Sequence, residues 1–127
     1  FMHRLLTGRL SVENLTIAIA DLPSSLVGTK LVQLSDFHYD GLRLSLDLLE
    51  EAIALSNQVN PDLVLFTGDF VTDDPKPIHD LVLRLKNLRS RAGIYAVLGN
   101  HDIYNRRSKI EITTALSSIG THVLWNQ

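Results

Sequence analysis

Three short apolar runs end in residues that can bind a metal or carry a proton. Leu31, Val32 and Leu34 lead into Ser35, Asp36, His38 and Asp40; Asp62-Leu-Val-Leu-Phe-Thr-Gly-Asp69 ends in a carboxylate; Gly93-Ile-Tyr-Ala-Val-Leu-Gly-Asn-His-Asp102 ends in Asn100, His101 and Asp102. Such runs read as buried strands, and in open parallel α/β sheets ligands gather in the crevice beyond the carboxyl ends of the strands. Asp36, His38, Asp69, Asn100 and His101 should then converge. Two carboxylates, two imidazoles and an amide oxygen form a hard-to-borderline donor set, suited to zinc, manganese or iron and poorly suited to a thiolate-seeking ion. A metal site is therefore the first expectation.

The elements that must position these residues follow from periodicity. Between Leu10 and Ala20, Leu15, Ile17 and Ile19 alternate with Thr16, Ala18 and Ala20, the period of a strand with one buried face. Glu13-Asn14 interrupts the alternation, so one bulged strand or two short strands with a turn are expected. The segment ends at Asp21-Leu22-Pro23 and would lie at a sheet edge, where proline is tolerated. Leu46, Leu48, Leu49, Ala52, Ile53, Leu55 and Val59 predict a helix with Ser45 as N-cap and Asn60-Pro61 as its stop. Ile78, Leu81, Val82, Leu85 and Leu88 predict a second, with Pro77 in its first turn, basic residues toward its end and Gly93 beyond. Asp73-Asp74-Pro75-Lys76-Pro77 reads as the turn into it. A third carries the capping-box pattern Ser108-x-x-Glu111, the stripe Ile112, Ala115, Leu116 and Ile119, and Gly120 as C′ residue. A strand from His122 to Trp125 follows, with Trp125 expected in the core. Tyr39 and Asp40 are expected as surface loop residues, and Arg106-Arg107 as the solvated start of the third helix. Right-handed crossovers should place helices on the sheet faces.

Composition narrows the function classes. The chain has 127 residues, 45% of them hydrophobic, enough for one domain with a real core. A formal charge of −2 gives no electrostatic footprint for nucleic acid. Cysteine is absent, so neither disulfides nor a Cys-zinc site can hold the fold. No stretch reaches the roughly 18 apolar residues of a membrane span. The opening Phe1-Met2-His3-Arg4 lacks the regions of an intact signal peptide and reads as a trimmed start that an anchor or signal could precede.

Taken together, Asp36-x-His38, Gly68-Asp69 and Gly99-Asn100-His101-Asp102, in that order with a βα unit between each, resemble the first three motifs of the calcineurin-like metallophosphoesterases. The resemblance covers roughly Leu22 to Asp102, and Leu22-Pro23 followed by Leu34-Ser35-Asp36 resembles the membrane-associated bacterial phosphodiesterase branch. It implies an α/β fold: the amino-terminal half of a metallophosphoesterase-type sandwich, mostly a parallel sheet with an antiparallel amino-terminal edge strand. Residues 1–127 would form a single partial domain.

By the same resemblance, Asp36, His38 and Asp69 bind a first metal, and Asp69 bridges to a second that also takes Asn100. Two divalent cations (manganese, zinc or iron) about 3.5–4 Å apart would acidify a bridging water for in-line attack on phosphorus. His101 would stabilise developing charge or protonate the departing oxygen, while Asp102 would fix the orientation and tautomer of its ring. Intact members add a Gly-His and a Gly-His-x-His after the third motif. Here His122 is the one histidine after His101, and its Thr121-His122-Val123 setting is no match. At most one ion is therefore expected to bind well to this truncated portion, with little turnover.

The implied function is hydrolysis of a phosphoric ester by a phosphodiesterase, phosphatase or pyrophosphatase. Lipid-linked substrates such as a UDP-diacylglucosamine fall within the resembling branch. Peripheral membrane association, a cytoplasmic or membrane-associated bacterial location, and self-association through the truncated sheet accompany that expectation. The alternative is a noncatalytic interaction module retaining the scaffold and a partial metal site. A nucleotide-binding doubly wound domain is disfavoured, since no Gly-x-Gly-x-x-Gly or Walker pattern is present.

Overall fold

Four apolar segments pair side by side as parallel strands. In the computed structural model, which describes residues 2–4, 9–39, 46–72 and 74–125, with side chains from residue 12 onward, the elements run in this order: β1 (Met2–Arg4), β2 (Arg9–Ser11), β3 (Leu31–Leu34), α1 (Leu46–Val59), β4 (Leu63–Phe66), α2 (Ile78–Leu85), β5 (Ile94–Ala96), α3 (Arg106–Ser118) and β6 (His122–Val123). The sheet order β3-β4-β5-β6 is the chain order, with Val32 opposite Val64, Val64 opposite Ile94, and Ala96 opposite Val123. Successive right-handed crossovers in one direction put every connecting helix on the same side.

Burial shows that side directly. Val32, Leu34, Val64, Phe66 and Ala96 share one cluster with Leu49 and Ile53 of α1, Leu81 and Leu85 of α2, and Ile112 and Leu116 of α3. On the opposite face Leu31 and Gln33 are exposed and Leu63, Leu65 and Tyr95 are half-buried. The expectation of helices on the sheet faces thus holds for one face, and all three stack there.

The antiparallel edge strand is a correction. Of the predicted Leu10–Ala20 strand only Leu10 and Ser11 are extended, as the end of β2, which pairs with β1 in a separate two-stranded antiparallel sheet, Met2 opposite Ser11. Residues 12–20 are exposed throughout and form no strand; Leu15 is 83% exposed and Ile17 73%. Alternation specifies which face would be buried but supplies no partner for the backbone N–H and C=O groups.

Helix boundaries follow local chemistry, with one shift. α1 stops where expected: Asn60 adopts a left-handed φ of 56° and Pro61 follows. Its predicted N-cap, Ser45, lies outside the described residues, as do Asp40 and Asp73. The turn into α2 is held by Asp74, whose Oδ1 accepts the Lys76 N–H at 3.0 Å. α2 ends at Leu85, and Leu88 is buried from the following turn. Gly120, at φ 85°, closes α3 as predicted. The start of α3 is Arg106, with Asn105 as N-cap accepting the Ser108 N–H at 2.8 Å. Ser108 is a buried residue of the first turn, and Glu111 reaches α2 instead, 2.7 Å from His79. Trp125 is half-buried, with Lys109 Nζ 3.6 Å above its ring centroid, so it serves a cation–π contact and not the core. Asn105→Ala should therefore lower unfolding stability by about 0.5–2 kcal/mol. Ser108→Ala should cost less than half of that. Urea denaturation of the two variants is the check, and equal losses would restore Ser108 as the cap.

Candidate metal centre

Beyond Leu34 the chain runs alongside the loop that follows β4. The N–H groups of Asp36, His38 and Tyr39 donate to the carbonyls of Gly68 (3.1 Å), Asp69 (3.0 Å) and Phe70 (2.8 Å). Side chains along this stretch divide by turn: Phe37 and Tyr39 are buried, whereas Asp36 is exposed and His38 half-buried. The Phe37 ring lies 5.9 Å from both Phe66 and Phe70, which anchors the loop in the core. Tyr39, expected on the surface, is another anchor; its hydroxyl donates to Asp80 of α2. Burial, and then that hydrogen bond to a carboxylate, pushes the phenol up to about 12.

With the anchors inward, the ligands meet. His38 Nε2 lies 3.5 Å from Asp36 Oδ1 and 3.9 Å from Asp69 Oδ2, and donor atoms of Asp36, His38 and Asp69 all fall within 4.8 Å of one another. Two carboxylates and an imidazole gathered this closely fit a divalent cation of the zinc, manganese or iron type. The backbone carries the same message. Asp36 (φ 56°), His38 (φ 42°) and Asp69 (φ 56°) are all left-handed non-glycine residues. Conformations of this kind cost about 1–3 kcal/mol each and persist where the surroundings over-determine them, most often at functional sites.

The second and third loops approach backbone to backbone. A Cβ on Gly99 would sit 2.1 Å from Asp69 Oδ1, and one on Gly68 (φ 111°) would sit 2.8 Å from the Gly99 nitrogen. Both positions thus need glycine, one to admit the Asp69 carboxylate and the other to admit the facing strand end. Asp102, fully buried, fastens the junction: its Oδ1 accepts the N–H groups of Phe70 (2.8 Å) and Val71 (3.2 Å), and its Oδ2 accepts that of Gly99 (2.8 Å). Burial raises its pKa, outweighing the three donors that favour the charged form.

The Asp102 carboxylate, expected to orient the His101 ring, accepts backbone N–H groups of both loops. The His101 ring is oriented by the Thr72 carbonyl, 2.7 Å from Nδ1. A carbonyl only accepts, so Nδ1 carries the proton. The ring stands edge-on to His38 at 5.1 Å between centroids, and the His101 N–H donates to Asp69 Oδ1 at 3.2 Å. Asn100 is exposed in the turn between Gly99 and His101.

Comparison with known proteins accords with this geometry. A model of the calcineurin-like phosphoesterase family matches residues 29–124. The chain belongs to the calcineurin-like phosphoesterase family. Among similar proteins of this family, the transmembrane protein with metallophosphoesterase domain of Danio rerio is 33% identical over 73% of this chain and 21% of its own length. The phosphodiesterase YaeI of Escherichia coli is 35% identical over 77% of this chain and 37% of its own, and the uncharacterised metallophosphoesterase YkuE of Bacillus subtilis 35% over 68% and 31%. The chain therefore spans between about a fifth and just over a third of these relatives. No solved structure matches significantly.

In this member of the calcineurin-like phosphoesterase family, sequence reasoning missed Thr72, Tyr39 and the clamping use of Asp102. Thr72 acts through its carbonyl, which any residue possesses; Asp102 was visible, but its partners are N–H groups from 31 and 32 residues away. Asp102→Asn should destabilise the fold by about 1–3 kcal/mol, because an amide NH2 must face a backbone N–H on one side of the clamp. An unchanged urea midpoint would show that the clamp contributes nothing.

Proposed function

We propose that Asp36, His38 and Asp69 hold a divalent cation for phosphoric ester hydrolysis, with a diester as substrate class. The observation that carries this is the convergence of three donors on left-handed backbone within 4.8 Å. The family match supports the reaction class, and the name of the relative YaeI supports the diester. A cation bound there would supply Lewis-acid stabilisation of phosphoryl oxygens and lower the pKa of water.

The remaining roles belong to the chain itself. Asp69 presents Oδ2 toward His38 and Oδ1 toward the third loop, so its carboxylate can serve a second ion together with Asn100. His101, its Nδ1 held by the Thr72 carbonyl, passes a proton to the departing oxygen. Gly99 and Gly68 keep this region free of side-chain bulk beside Asp69. None of the described helices is long and apolar enough to cross a membrane.

Donor count sets the stoichiometry. A first ion has Asp36, His38 and Asp69; a second has Asp69 and Asn100. Elemental analysis after manganese or zinc loading should find one metal per chain, with turnover of bis-nitrophenyl phosphate far below the roughly 10 s⁻¹ of an ordinary enzyme. Two metals together with turnover at that level would overturn this count.

Variants separate ligand from acid. Asp69→Ala should strip bound metal. In the full-length protein, His101→Ala should retain it while lowering kcat by roughly 10² to 10⁴, least for a nitrophenyl ester, whose leaving group needs little protonation. If His101→Ala loses metal as thoroughly, or slows aryl and alkyl esters equally, its assignment as leaving-group acid is wrong.

A further inference from the structure

We propose that Tyr39 is a positioning residue for the metal ligand His38, held through its hydroxyl by Asp80 at the start of α2. The inference rests on the metal reading of Asp36, His38 and Asp69. Tyr39 is 4% exposed, and its hydroxyl donates to Asp80 Oδ2 while its backbone N–H donates to the Phe70 carbonyl at 2.8 Å. It is thus tied both to the loop bearing Asp69 and to a helix outside that loop.

His38 sits between two buried aromatic residues. On one side Phe37 is wedged against Phe66 and Phe70; on the other, Tyr39 is bonded to α2. Between them the His38 backbone keeps φ at 42°, with its N–H on the Asp69 carbonyl and its own carbonyl 3.3 Å from the donating Thr72 Oγ1. A left-handed β-carbon-bearing residue relaxes unless its neighbours forbid it. The phenol supplies a directional restraint that ring packing does not duplicate, because packing tolerates sliding and a hydrogen bond does not. α2 is itself fastened: Arg84, one turn after Asp80, is 3.3 Å from Glu50 of α1. The His38 ring, 3.5 Å from Asp36 Oδ1, is in this way referred to the helix layer and not only to its own loop.

Tyr39→Phe removes the hydroxyl and keeps the ring, so it tests the restraint without emptying the core. Manganese(II) binding to the intact 127-residue chain would be followed by the loss of the free-ion EPR signal, at a temperature where circular dichroism shows each variant folded. The dissociation constant should rise about 10-fold, within the 10- to 100-fold range for groups that orient metal ligands. Asp80→Ala should match it, the double variant should add little, and Asp80→Asn, which still accepts from the phenol, should restore wild-type affinity. Asp80 is exposed, so Asp80→Ala reads the same link if Tyr39→Phe fails to fold. A lower melting temperature with unchanged manganese affinity in both single variants would overturn the inference and leave the hydroxyl a purely structural group. His38→Ala is the separating control: if it binds manganese as wild type does, the metal reading itself fails, whereas loss of binding there with none in Tyr39→Phe or Asp80→Ala removes the inference alone.

Discussion

The Asp102 carboxylate, buried and bonded to the N–H groups of Phe70, Val71 and Gly99, is the contact on which the rest of the site depends. It joins two loops whose strands are neighbours but whose chain positions are distant. Asp69 lies between Gly68, pressed against Gly99, and Phe70, gripped by Asp102. Its carboxylate can therefore lie only where the two backbones leave room. Backbone N–H groups buried without an acceptor would be costly, so the junction is specified by hydrogen bonding as much as by packing.

From that junction the first loop takes its place by three N–H bonds to the Gly68, Asp69 and Phe70 carbonyls. Anchor and ligand then alternate, with Phe37 and Tyr39 inward and Asp36 and His38 outward. The aromatic cluster beneath the site is thus part of its geometry, because it holds ligands on backbone that would otherwise relax. Gathering Asp36 and Asp69 near one point without a cation places like charges together, which a fold tolerates when burial elsewhere outweighs it. The single core shared by three helices supplies that burial.

The helix layer covers one face of the sheet, and the site sits at the strand ends above it. Leu63, Leu65 and Tyr95 on the other face are half-buried, with Leu31 and Gln33 exposed beside them. That asymmetry follows from topology: strands in chain order joined by crossovers of one hand cannot place helices on both sides.

Much of this was legible in the residues. Apolar runs stopping at Asp36, Asp69 and Asn100-His101-Asp102 determined that parallel strands would deliver polar groups to one edge, since the side-chain pattern and chain spacing leave few other arrangements. Asn60-Pro61 and Gly120 marked helix ends because their backbone preferences are local. Local signals also misled: Ser108-x-x-Glu111 satisfies the capping pattern, yet Asn105, three residues earlier, has the extended backbone that an N-cap requires. The alternation at residues 12–20 named a face without a partner strand. Only the tertiary structure decided that Thr72 orients His101, that Asp102 clamps backbone, and that Tyr39 reaches α2. Each of these joins groups some 30 or more residues apart, or uses a backbone atom common to every residue, and neither kind of partnership leaves a mark on residue type or spacing.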